Sequence, residues 1–131
     1  NHEIPLLSAT IECLTLPDRY DKSLTPLNLS KLHNLVNFVL PNHFNKKINM
    51  NDLPPNLTSL HFGYYFNQPI EKHVLPTTLR ILRFGPRFNY PLDNVLPPNL
   101  VDLTVSTEYT HEITAKLSIH TQAPESEYYY L

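Results

Sequence analysis

One phrase occurs twice in this chain and fixes what it can become. Residues 53–70 read LPPNLTSLHFGYYFNQPI and residues 75–92 read LPTTLRILRFGPRFNYPL, a repeat of 22 residues. A unit that short cannot bury its own apolar side chains, so it must stack on copies of itself. With Leu57 as position zero, the pattern asks for apolar residues at zero, plus three and plus five, a large aromatic at plus nine and an aliphatic at plus thirteen. Five registers satisfy it, with origins at Ile11, Leu35, Leu57, Leu79 and Leu100 and spacings of 24, 22, 22 and 21 residues.

Between plus one and plus six each unit alternates apolar and variable residues, as in Thr58-Ser59-Leu60-His61-Phe62, which is the period-two signature of a strand. Five strands centred near Leu14, Phe38, Leu60, Leu82 and Leu103 are therefore expected to stack in parallel. Residues at plus three and plus five then face the core, and those at plus two and plus four face the other way. The return half of each unit is framed by prolines such as Pro69, Pro91 and the Leu-Pro-Pro of residues 53–55 and 96–98, which leaves no room for a regular helix. The outer side is expected to be extended, polyproline-like or at most a short 3-10 turn. Residues 27–35, with leucines at 29, 32 and 35 and no proline, are the exception and suit one or two helical turns.

Two polar columns accompany the pattern. The chain's two glycines, Gly63 and Gly85, share plus six, which implies a recurring turn or a close backbone approach. Pro17, Pro41 and Ser106 fill that place in the other units, which favours close packing over a positive φ. Asn45, Asn67 and Asn89 form a column at plus ten, completed by Asp21 and Thr110. They read as a structural ladder of buried amides donating to carbonyls of the neighbouring coil.

The phrase FNQPI at residues 66–70, preceded by LPPNLTSLHFG, resembles the FNIP repeat, a divergent leucine-rich-repeat unit of social amoebae and of large viruses that infect amoebae. The likeness spans roughly residues 7–117 and is sharpest in the two central units; residues 44–48 lack the proline, and Tyr20-Asp21 and Tyr109-Thr110 replace Phe-Asn. It implies a leucine-rich-repeat-like solenoid with a concave parallel sheet and a role in interaction. In that family such repeats often follow an F-box, which implies the substrate-recognition arm of a ubiquitin ligase. No F-box occurs in these 131 residues.

Domain organisation follows from the register. Residues 1–10 read as the end of a preceding coil or an N-terminal cap, 11–113 as the solenoid, and 114–131 as a capping strand near residues 116–120 followed by a mobile tail with three successive tyrosines. The length makes one domain able to bury about two thirds of its unfolded surface. Thirteen prolines would suggest a broken chain were the leucines not periodic.

Composition narrows the function. A net charge of −2 with scattered Lys and Arg offers no footprint for nucleic acid or an anionic membrane. The seven histidines occupy different repeat positions and pair with no other ligand at a metal spacing. No carboxylate pair recurs in a column, and no phosphate loop, nucleophile elbow or dinucleotide motif is present, so neither an enzyme nor a cofactor nor a small-molecule substrate is expected. Cys13, the single cysteine, falls on the exposed face as a plain thiol and suits a reducing, intracellular compartment: cytoplasm, or host cytoplasm or virion for a viral source.

What remains is the exposed sheet face. Its plus-two column is Cys13, Asn37, Ser59, Ile81 and Asp102, and its plus-four column is Thr15, Val39, His61, Arg83 and Thr104, with Tyr64 and Arg87 at the rim. Core columns are monotonous and these vary, as a recognition surface requires. Asn37, Val39, Ser59, His61, Tyr64, Ile81, Arg83, Arg87 and Asp102 are the candidate contacts for a protein partner. A structural part in a larger assembly, such as a viral particle, is the rival reading.

Overall fold

The computed structural model describes residues 10–124, and the expectations for the first nine residues and for the tail from residue 125 lie outside them. Six parallel strands form one sheet in chain order: β1 (Cys13–Thr15), β2 (Asn37–Val39), β3 (Ser59–His61), β4 (Ile81–Arg83), β5 (Asp102–Ser106) and β6 (Ser118–Gln122). The register reproduces the repeat columns residue for residue: Leu14, Phe38, Leu60, Leu82 and Leu103 lie opposite one another, as do Val39, His61 and Arg83. The first four strands span only plus two to plus four. The capping strand, expected near residues 116–120, lies two residues later and pairs over five residues from Asp102↔Ser118 to Ser106↔Gln122.

Successive coils are joined by repeated backbone bonds. The amide at plus one reaches the carbonyl at plus one of the preceding coil, as in Thr58 to Val36 at 2.9 Å, Arg80 to Thr58 at 2.9 Å and Val101 to Arg80 at 2.9 Å. At the other end of the strands the plus-five amide donates forward, as in Phe62 to Arg83 at 2.8 Å and Phe84 to Thr104 at 2.9 Å. These bonds join one coil to the next, while turn bonds within a coil, such as Phe44 N–H to Pro41 and Leu100 N–H to Pro97, shape its corners, so coil-on-coil stacking and local turns together hold the solenoid.

The core is built from the same columns. Leu35, Leu57, Leu79, Phe38, Leu60, Leu82 and Leu103 are almost fully buried, each worth about 1.5–3 kcal/mol of burial. The plus-nine aromatics form a stacked spine, Phe44 on Phe66 on Phe88 on Tyr109, with centroids 6.0 Å apart at each step. A second aromatic pair, Phe62 and Phe84, stacks at 4.9 Å, and each of its rings also packs on the spine, at 4.1 and 3.8 Å. Flat rings one coil apart allow the repeat to translate without changing side-chain shape.

The return segments contain two 3-10 turns, Thr25–Leu27 and Leu29–Lys31, separated by Asn28 in the left-handed region, and no α-helix among the described residues. Asn51, His73 and Asn94 share one repeat position on these segments and have φ of 68°, 70° and 67°. The left-handed turn thus falls to Asn and His and not to glycine, since an Asn side chain tolerates that conformation better than most. The glycines serve close approach: neither has positive φ, a Cβ at Gly63 would overlap the Pro41 carbonyl oxygen, and one at Gly85 would overlap that of Gly63.

The asparagine column differs from expectation in two respects. Asn45, Asn67 and Asn89 are exposed, and their side-chain oxygens accept: the Asn67 amide donates to Asn45 Oδ1 at 2.8 Å, Asn89 to Asn67 Oδ1 at 3.1 Å, and Thr110 to Asn89 Oδ1 at 3.0 Å. The chain turns outward after the plus-nine ring enters the core, so the next residue faces solvent and its free acceptor meets the following coil's N–H. The bonds begin at Asn45; Asp21, exposed at the first position, is not joined to it. Buried polar linkage lies elsewhere. Asp52, 4% exposed, accepts from the Thr25 hydroxyl at 2.8 Å and the Asn49 amide at 2.8 Å, holding the 3-10 turn against the next return segment.

Candidate functional site

Strand alternation places the variable residues on one face. Asn37, Ser59, Ile81 and Asp102 form one row in register, and Val39, His61 and Arg83 form the adjacent row. Asn37, Val39 and Arg87 are exposed, whereas Ser59, His61, Tyr64, Ile81, Arg83 and Asp102 are half-buried. All nine predicted contacts therefore lie on or beside a single patch. Thr104, which continues the second row, is only 7% exposed, so the open row ends at Arg83. Beyond it, β6 brings His120 to within 3.4 Å of the Asp102 carboxylate.

The rim is aromatic and cationic. Arg87 stands 6.0 Å from the Tyr64 ring and 5.8 Å from that of Tyr65, within reach of a cation–π contact, and the two tyrosines meet edge to face at 4.9 Å. His43 lies 5.7 Å from Tyr65. Such contacts order the Arg87 guanidinium before any partner arrives and so lower the entropy lost on binding. Tyr65 and His43 are not among the predicted contacts, yet both occupy plus eight, the column of Arg87; reading that column across coils would have found them.

Electrostatics differ along the patch. Burial, reinforced by the Arg83 guanidinium one strand away, lowers the pKa of His61, so its ring is neutral at pH 7 and able both to donate and to accept. Arg83 and Arg87 are fixed positive charges on the same coil. At the strand exits of the first three coils lies a cleft of about 410 Å³, lined by Leu16, Val39, Pro41, His61 and Phe62, with Asp18 at its first-coil end. The lining is mainly apolar and touches the patch through Val39 and His61.

Cys13 is exposed, and its polar neighbour among the described residues is the Asn37 side-chain amide at 3.8 Å, which is not a base that could activate the thiol. Among the described residues, no three His, Cys, Asp or Glu side chains converge as a metal site, and no helix is long and apolar enough to cross a membrane.

Comparison with known proteins agrees with this geometry. The family model of the FNIP repeat matches residues 44–86 and 74–108. Among solved structures, the chain is similar to the giant-virus protein CroV588, described as a novel circular leucine-rich-repeat structure, with a TM-score of 0.76 and 31% sequence identity. The match covers 88% of this chain and 18% of that one, so the chain spans less than a fifth of its neighbour's length. No curated protein matches.

Proposed function

Over residues 44–108 this chain belongs to the FNIP-repeat family, and from that premise we propose that it is a protein-interaction module that grips its partner with the concave, open face of the sheet. The observation that carries this reading is the contrast between columns. Core columns repeat one kind of side chain, whereas Asn37, Val39, Ser59, His61, Ile81, Arg83 and Asp102 differ from coil to coil on one accessible face. Half-buried Arg and His beside a Tyr and Arg rim, next to an apolar cleft, match the make-up of protein-binding hot spots. Within this reading, the module is the recognition arm of a ubiquitin-ligase adaptor whose F-box lies on a connected segment.

A structural part in a larger assembly is the second reading, and β6 favours it. Ile119 lies opposite buried Leu103 in the core column yet is 42% exposed, and among the described residues no strand pairs with the far side of β6, which leaves an edge on which another element could stack. Pull-down from the native source, using the parent and a His61→Ala/Arg83→Ala variant, separates the two. Loss of partner capture by a variant that still folds, about 2 kcal/mol or more of binding, supports the recognition face. Undiminished capture, with coat or scaffold proteins recovered, overturns it in favour of assembly.

A further inference from the structure

We infer that the cleft, with Asp18 at its first-coil end and Arg83 and Arg87 one coil beyond its other end, takes an extended peptide of the pattern basic–x–apolar–x–acidic, laid across the first four coils. The inference rests on the binding role of the sheet face and specifies what that face selects.

The argument is one of spacing. Asp18 stands at the cleft in the first coil, the apolar lining of Leu16, Val39, Pro41 and Phe62 spans the first three coils, and Arg83 and Arg87 stand in the fourth, one coil beyond the cleft. Parallel strands lie about 4.8 Å apart, so the two charged ends are about 14 Å apart along the stack. An extended peptide advances about 3.3 Å per residue, so it covers that distance in about four residues. Residues i, i+2 and i+4 of an extended chain project to the same side. One face of a five-residue segment therefore meets Asp18, the cleft and the two arginines in turn: a basic side chain, an apolar one and an acidic one.

The surroundings agree with this order. Leu16, Val39, Pro41 and Phe62 line the middle of the cleft, which rewards an apolar side chain at the middle position. Arg87 is held over Tyr64 and Tyr65, which orders its guanidinium at the acid-binding end. The nearby charges that could oppose the pattern are Arg19, next to Asp18 but outside the cleft lining, and Asp102, one strand beyond Arg83 and within 3.4 Å of His120.

The probes are fluorescein-labelled peptides with the cores Lys-Ser-Leu-Ser-Asp, Asp-Ser-Leu-Ser-Asp, Lys-Ser-Leu-Ser-Lys and Lys-Ser-Ser-Ser-Asp, titrated by anisotropy. The first should bind tightest, by about fivefold over each like-charged core, the range of one exposed ion pair. The serine-centred core should lose binding altogether. Asp18→Lys should transfer the preference to the doubly acidic core, and Arg83→Glu to the doubly basic one; Arg87→Glu, on the exposed rim, repeats that second test should the half-buried site not tolerate a carboxylate. Equal binding of all three leucine cores, with no switch in the variants, would overturn the charge order. Selection of random heptapeptides displayed on phage then distinguishes the two levels. Binders of another pattern that are lost on Val39→Asp refute this inference and keep the recognition face, whereas binders indifferent to Val39, His61 and Arg83 refute both.

Discussion

Gly85→Ala tests the close packing of coils directly, because two known effects on stability oppose each other there. Gly85 does not have positive φ, so the alanine backbone is unstrained, and the substitution alone should stabilise by about 0.4–1 kcal/mol through the unfolded chain. Against that, the new Cβ would overlap the Gly63 carbonyl oxygen and stand 2.9 Å from its carbon and 3.1 Å from the Tyr64 Cα. These are backbone atoms of the preceding coil and have no rotamer to escape into. Restoring an ordinary contact moves the coils apart by about 1 Å, an overpacking cost of about 1–3 kcal/mol. The opening also strains the adjacent bond between the same two coils, Phe62 N–H to the Arg83 carbonyl at 2.8 Å, adding about 1 kcal/mol. The net is a loss of about 2–3 kcal/mol, or about 10 °C in Tm for a chain of this size. Urea unfolding followed by far-UV circular dichroism reads it as a lower midpoint at constant slope. A midpoint at or above the parent's would refute the argument, since it would mean that the coils separate without cost and the glycine column is incidental.

Three further outcomes follow from the structure. Asn67→Ala should cost only about 0.5–1.5 kcal/mol, because the Asn89 amide it strands is near water, and Asn67→Asp should retain most of the stability by keeping an acceptor; thermal melts of both variants check this. Asp52→Ala should cost more, about 2–4 kcal/mol, since the buried Asp52 carboxylate accepts two bonds, from the Thr25 hydroxyl and the Asn49 amide, against the one that Asn67 accepts from the next coil; a loss in urea melts no larger than that of Asn67→Ala would contradict it. His61 should titrate below 6.5 in an NMR pH series, and Arg83→Ala should move it back up in part. With the folded pKa depressed, the unfolded state binds more protons just below 6.5, so stability is complete above that pH and declines as pH falls towards the folded value; His61→Gln should flatten that slope.

The sequence by itself determined the coil, the register and the two faces of the sheet. A period of about 22 residues with apolar positions at fixed offsets permits one stacking, and a slip of one residue would turn Leu60, Leu82 and Leu103 out to solvent. The same alternation placed the nine candidate contacts on one patch, because side-chain direction in a strand is local geometry. It did not disclose the environment of the asparagines, since whether plus ten lies in or out depends on how the chain leaves the core after the plus-nine ring. Nor could it show the Asp52 bridge between return segments, the burial of Thr104, or the regular pairing of β6 sixteen residues after β5. Those depend on neighbours distant in the chain, and a periodic pattern reports what every coil shares, not what one coil does for the next. The cleft and the charges on either side of it belong to the same class: Asp18, Val39 and Arg83 come from three different coils, and only stacking sets the distance between them.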